Sequence, residues 1–210
     1  MLKEQMDNKL KERFNHVYWS IYLYNLSLSE LKIVSNTEYN QSELQIVNSH
    51  TFNFYKTTLH YCFIIEYNKI LEKGRKDKNQ NISSIIQLND IVYSLNNNSF
   101  SEKYIQNMES ISKLKSSTFY EKIRNLRDKK FAHADNVDIN IPFTIIDFSK
   151  DDFMNGFNHL SILKKILDNL TKPYNFECHL RIPNWDDRTA NFIKFHAEYR
   201  NFYLKNLFGR

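Results

Sequence analysis

Apolar positions in this chain recur mostly at three- and four-residue spacings, the signature of helices that bury one face. The first such stretch covers residues 3–34, through Leu10, Phe14, Val17, Tyr18, Ile21, Leu23 and Tyr24, and is either continuous or broken near Ser27 to Ser29. A polar break at Ser35 to Tyr39 precedes a second long helix predicted over 41–73, with Gly74 as its C-terminal cap. The middle of that helix, Leu59 to Ile65, is apolar nearly all round, which places it at the centre of a bundle. A short helix is expected over 82–95, ended by Asn96-Asn97-Asn98. Ser99-Phe100-Ser101-Glu102 reads as a capping box for the next, with Ile105, Met108, Ile111 and Leu114 on one face.

After Ser116 and Ser117, Thr118-Phe119-Tyr120-Glu121 reads as a second capping box, and Phe119, Ile123 and Leu126 supply the buried face. Val137 to Phe148, around Pro142, is either an extended crossover or a short strand. Ser149 to Asp152 opens another helix that stops before Pro173, and Phe176 to Ile182 is a brief strand or an extended arm. A last helix is predicted over 185–207, with Asn184 and Asp187 as a weaker cap signal. Long helices with short links make the expected fold all-α, an antiparallel bundle over 1–172, with 173–210 packed on it as a C-terminal extended segment and helix.

Composition narrows this picture. Three Gly and three Pro in 210 residues disfavour a turn-rich β fold, and 41% hydrophobic with 15% aromatic residues is enough for a sizeable core. A net charge of +5 and an isoelectric point near 9.0 suit a polyanionic partner. Cys62 and Cys178 form no zinc or disulfide pattern, the N-terminus lacks the apolar run of a signal peptide, and no apolar stretch spans a bilayer. A cytoplasmic protein without a membrane anchor is the expectation.

Candidate chemistry concentrates in Arg124-Asn125-Leu126-Arg127-Asp128-Lys129-Lys130-Phe131-Ala132-His133-Ala134-Asp135. Tyr120, Arg124, Arg127 and Phe131 share a stripe beside the buried one, so the two guanidinium groups flank the core. On one continuous helix Arg127 and His133 would lie about 600° and about 9 Å apart. They therefore meet only if the helix ends or bends between them, or if each finds a partner in a second chain. Arginine supplies a planar, permanently charged fork for phosphate oxygens, and histidine transfers protons near neutral pH.

Arg127, the polar Asp128 and His133 resemble the Arg, polar residue, x(4 to 6), His signature of the HEPN superfamily (higher eukaryotes and prokaryotes nucleotide-binding). The longer string, Leu126-Arg127-Asp128-Lys129 followed by Ala132-His133-Ala134-Asp135, resembles the branch associated with bacterial abortive infection. That resemblance implies a dimerising helical domain and a metal-independent ribonuclease site shared by two protomers, in a toxin or phage-defence effector. It assigns catalysis to Arg127 and His133, with Asp128 orienting one of them. Arg124, Lys129 and Lys130 are then RNA contacts, no metal or cofactor is implied, and an antitoxin or nucleotidyltransferase is the kind of partner that would restrain the activity. Two other readings stand beside it: a noncatalytic module binding RNA or protein on the same surface, and a purely structural helix end.

Other polar residues are assigned to packing. His16 and Trp19 lie three apart at a surface or packing position, His50 and His60 are core or boundary residues, and His159 is boundary packing. Glu66, following so apolar a run, needs a partner or solvent. On the last helix Arg188, Lys194, Arg200 and Lys205 alternate with Tyr199, Phe202 and Tyr203; an aromatic face docked on the bundle is favoured over RNA stacking.

Overall fold

The computed structural model describes residues 2–73, 82–130, 148–174 and 186–208, and every regular element among them is helical. The elements are α1 (Leu2–Val34), α2 (Gln41–Val47), α3 (His50–Leu71), α4 (Ile85–Asn96), α5 (Ser101–Lys115), α6 (Thr118–Lys130), α7 (Lys150–Thr171) and α8 (Asp186–Phe208). Short 3-10 turns, Asn97–Phe100 and Lys172–Tyr174, follow α4 and α7. The fold is an all-α helical bundle. The segments expected as strands or extended arms, residues 137–147 and 176–182, lie outside the described residues, as do Gly74, Cys178 and Asn184.

Helix α1 runs unbroken through Ser27 to Ser29. The Ser27 hydroxyl donates back to the carbonyls of Leu23 (2.6 Å) and Tyr24 (3.1 Å), so it is satisfied inside the helix rather than opening it. The predicted 41–73 helix divides in two. Asn48 ends α2, and Ser49 starts α3 by accepting from the Phe52 amide (3.5 Å). Helix α2 has a capping box of its own, in which Asn40 and Glu43 satisfy each other's backbone amides. Helix α3 stops at Leu71, before Gly74, because Glu72 is already extended.

Neither expected box at the next two helix starts forms as drawn. Phe100 occupies the α5 cap with no side-chain bond, and Ser99 instead donates to the Asn96 carbonyl (2.8 Å), closing the 3-10 turn. At α6 the cap is Ser117, one residue earlier than Thr118: its oxygen accepts from the Tyr120 amide (3.1 Å) while its hydroxyl donates to Leu114 (2.7 Å). At α7, Ser149 and Asp152 form a capping box, and Lys122 of α6 reaches Asp152 at 2.7 Å.

The core is a stack of rings between α1, α3, α6 and α7. Tyr24 stacks on Phe63 and Tyr67, both centroid separations being 5.1 Å, and Phe119 meets Phe63, Tyr67 and His159 edge-on. Helices α1 and α3 run antiparallel, since Glu30 pairs with Tyr55 while Tyr24 reaches Tyr67. Helices α3 and α6 run in the same direction, Phe63 meeting Phe119 and Glu72 meeting Arg127. Gly156 lets α7 approach α1: a Cβ there would lie 2.9 Å from a Leu28 methyl, and the Tyr24 hydroxyl donates to the Gly156 carbonyl (2.8 Å).

Helix α8 corrects the expected docking. It buries Ile193 and Ala197, and Thr189 donates to Glu30 of α1 (2.7 Å) while Asn201 bonds Ser42 of α2 (3.1 Å). The aromatic side chains Phe195, Tyr199 and Phe202 point outward instead. Glu66, by contrast, finds the expected partner in Lys69 (2.7 Å), and His60 settles in the core with Nδ1 2.8 Å from the Lys56 carbonyl.

Candidate functional site

The motif helix α6 is fixed before it reaches the charged residues. Ser117 caps it, Phe119 and Ile123 bury its inner face, and Leu126 continues that face half-buried. Arg127 follows one position on, with its side chain 26% exposed. That is enough burial to restrain the guanidinium and enough exposure to meet a ligand.

Two carboxylates hold it. Asp128 accepts through Oδ1 from Arg127 Nε (2.9 Å) and Nη2 (2.7 Å), and Glu72, at the C-terminal end of α3, accepts from Nη1. Arg124, one turn earlier on α6, reaches the other Asp128 oxygen at 3.8 Å. Burial alone would pull the Arg127 guanidinium down, but the hydrogen bonds and charges of Glu72 and Asp128 outweigh it, and the net direction is up. Three of its five N–H groups are engaged by these bonds.

Tyr120 closes the inner side of the cluster. Its phenol is raised first by burial and then by the Glu72 charge, with Arg124 and Arg127 opposing. Its ring lies 6.0 Å from Tyr67, whose hydroxyl is hydrogen-bonded to His159 Nδ1 at 2.5 Å. The surface cluster thus rests on the aromatic core.

The structure brings Arg124, Arg127 and Asp128 together. Among the described residues Asp128 bonds Arg127, and whether it also orients His133 falls outside them. His133 lies outside the described residues, and so do the side chains of Lys129 and Lys130, although α6 extends through both. Glu72 and Tyr120 complete the cluster without having been singled out. Glu72 carries no local sequence signal, because its role depends on α6 running beside the C-terminal half of α3, from Phe63–Phe119 to Glu72–Arg127. Tyr120 did fall on the Arg124–Arg127 stripe by spacing.

Among the described residues no three His, Cys, Asp or Glu side chains gather closely enough to hold a metal ion, and no helix is long and apolar enough to cross a membrane. The described histidines are accounted for. His16 sits 3.9 Å from Glu12, His50 is exposed at the start of α3, His60 and His159 are in the core, and His196 packs on Phe192 and Phe195. Comparison with family models, curated proteins and solved structures finds no match to this chain.

Proposed function

We propose that this chain is a metal-independent endoribonuclease of HEPN type, acting at a site shared across a homodimer. The observation that carries the reading is the Arg127 guanidinium, held half-buried at the end of the motif helix by Glu72 and Asp128, a few residues before His133. A cation so fixed loses little conformational freedom when a phosphate arrives. In the reaction, His133 takes the proton from a ribose 2′-OH, whose oxygen attacks phosphorus. Arg127 stabilises the charge that gathers on the phosphoryl oxygens. The P–O5′ bond breaks as the leaving O5′ takes up a proton, supplied by a histidine that has gained one or by water, leaving a 2′,3′-cyclic phosphate and a 5′-hydroxyl. Arg124, Lys129 and Lys130 extend the positive surface along the strand. A toxin or phage-defence role, restrained by an antitoxin or nucleotidyltransferase partner, rests on the resemblance of the motif.

The same double pairing favours a second reading. Glu72 and Asp128 offset the charge of Arg127, which suits a noncatalytic helical module binding RNA or protein. Incubating the protein with structured and single-stranded RNA in EDTA separates the two. Under the enzymatic reading the wild type leaves cyclic phosphate ends, and His133→Ala or Arg127→Ala slows cleavage by about 10²- to 10⁴-fold with folding intact. Equal cleavage by wild type and His133→Ala, or cleavage of an all-deoxy strand, would sink it.

A further inference from the structure

The outward face of α8 carries Phe192, Phe195, Tyr199, Phe202 and Tyr203, each between 51% and 65% exposed. The first four are spaced by three, four and three residues, so at about 100° per residue they line one stripe, with Tyr203 at its edge. The aliphatic residues of the same span, Ile193 and Ala197, are buried on the opposite side, where α8 meets α1 and α2. Leu204, Leu207 and Phe208 follow the stripe and are also exposed. A partner helix is met by an aliphatic seam of interlocking knobs. The stripe is instead made of flat rings, the shape that stacks on unpaired bases.

The charges beside the rings point the same way. Lys194 and Lys205 fall on one flank of the stripe and Arg200 on the other, all three exposed. Arg200 donates to the neutral side-chain oxygen of Gln45, and among the described residues none of the three forms an ion pair. Glu198, on the lysine flank, is the one acid between Arg188 and Phe208. A single strand laid along the stripe sets bases on Phe195, Tyr199 and Phe202 and phosphates over the lysine flank. From Phe192 to Tyr203 the helix offers about 17 Å, room for a few nucleotides. This surface is separate from the Arg127 cluster. Phe192 lies 6.2 Å from Phe52 near the start of α3, whereas Arg127 meets Glu72 just past its end. The two points are about 30 Å apart along that helix.

We propose that the aromatic stripe of α8 is a second nucleic-acid site, which binds single-stranded RNA by stacking its bases on the rings and holding its phosphates on the flanking cations. It rests on the reading above in taking RNA as the ligand, and a strand long enough to reach both sites binds as one bivalent ligand. The test is fluorescence anisotropy with a labelled 2′-O-methyl oligouridine about twelve nucleotides long. Its blocked 2′-oxygens cannot attack phosphorus, so binding is read without cleavage. Phe202→Leu, which keeps an apolar side chain and removes the ring, should weaken binding about tenfold, and Phe202→Tyr should bind as the wild type does. Both should keep the wild-type melting temperature, because the ring is exposed. Lys205→Ala should lower the log-log salt slope by about 0.7, and Glu198→Gln should tighten binding about two- to threefold.

A wild type that does not bind the strand, or equal affinity in the wild type and Phe202→Leu, overturns the proposal. If Arg127→Ala alone weakens binding, the proposal falls and the reading above stands. If Phe202→Leu weakens binding while unmodified RNA stays uncleaved, the proposal stands and that reading falls. A dimer by sedimentation equilibrium that Phe202→Leu dissociates, with oligouridine affinity unchanged, overturns the proposal and gives the stripe to a protein partner.

Discussion

At Arg127 the balance of charges decides what the residue can do. Glu72 and Asp128 both sit on its guanidinium, so an incoming phosphate competes with a carboxylate that is already in place. Glu72 is the partner from another helix and the one whose removal leaves α6 untouched. Glu72→Gln keeps an acceptor of nearly the same shape but removes its charge. We expect RNA affinity to rise about three- to tenfold, with the log-log salt slope steepening by about 0.7 as one more phosphate contact forms. Fluorescence anisotropy of a labelled single strand across a salt series measures both. The pair is partly exposed, so stability should change by less than about 1 kcal/mol. Unchanged affinity would mean that Arg127 does not contact phosphate. The motif residues were legible because arginine, aspartate and histidine stood in one short string. Glu72 was not, because nothing local connects it to a residue 55 positions away.

At the scale of the element, periodicity located the helices and capping chemistry set their ends. The serine-rich joint between α5 and α6 shows why the ends were harder to read. Ser116, Ser117 and Thr118 can each accept from a backbone amide, and the sequence does not rank them. The ranking comes from the turn: only Ser117 can cap Tyr120 while donating back to Leu114. Ser117→Ala should therefore cost about 1 kcal/mol in urea unfolding, whereas Thr118→Ala should cost less than about 0.5. The reverse order would return the cap to Thr118. The division of α2 from α3 has the same origin, since Asn48-Ser49 interrupts a periodic run without a glycine or proline to announce it. Helix α8 was correctly placed but wrongly turned. Its most aromatic face was expected inward, yet the aliphatic pair Ile193 and Ala197 is what it buries against α1 and α2.

Across the whole molecule, polar groups are threaded through the core and held by one another. Asn169 donates to Asn107 and Asn107 to Asn89, each at 3.0 Å, tying α7, α5 and α4. Tyr67 and His159 form a second link, between α3 and α7. Burial pushes His159 from its ordinary 6.5 to about 4, so the folded ring stays neutral where the unfolded ring takes up a proton. Its contribution is complete above pH 6.5 and is lost as the pH falls towards 4, amounting to about 3 kcal/mol. His159→Gln can still hydrogen-bond Tyr67 but does not titrate, so thermal melts between about pH 7 and 4 should show a shallower acid limb than the wild type. Parallel limbs would remove His159 from the acid response.

Sequence alone determined that the chain is helical throughout the described residues, that Leu59 to Ile65 is central, that α7 opens at Ser149 and that Arg124, Arg127 and Asp128 share one short stretch of helix. These depend on spacing within one helix, where neighbours are fixed by about 3.6 residues per turn. Tertiary structure alone decided that Glu72 meets Arg127, that Tyr67 meets His159 and that the aromatic face of α8 turns outward. Each of these depends on which helices lie side by side and how closely they pack, a choice made by the whole set of buried surfaces at once and written in no single segment.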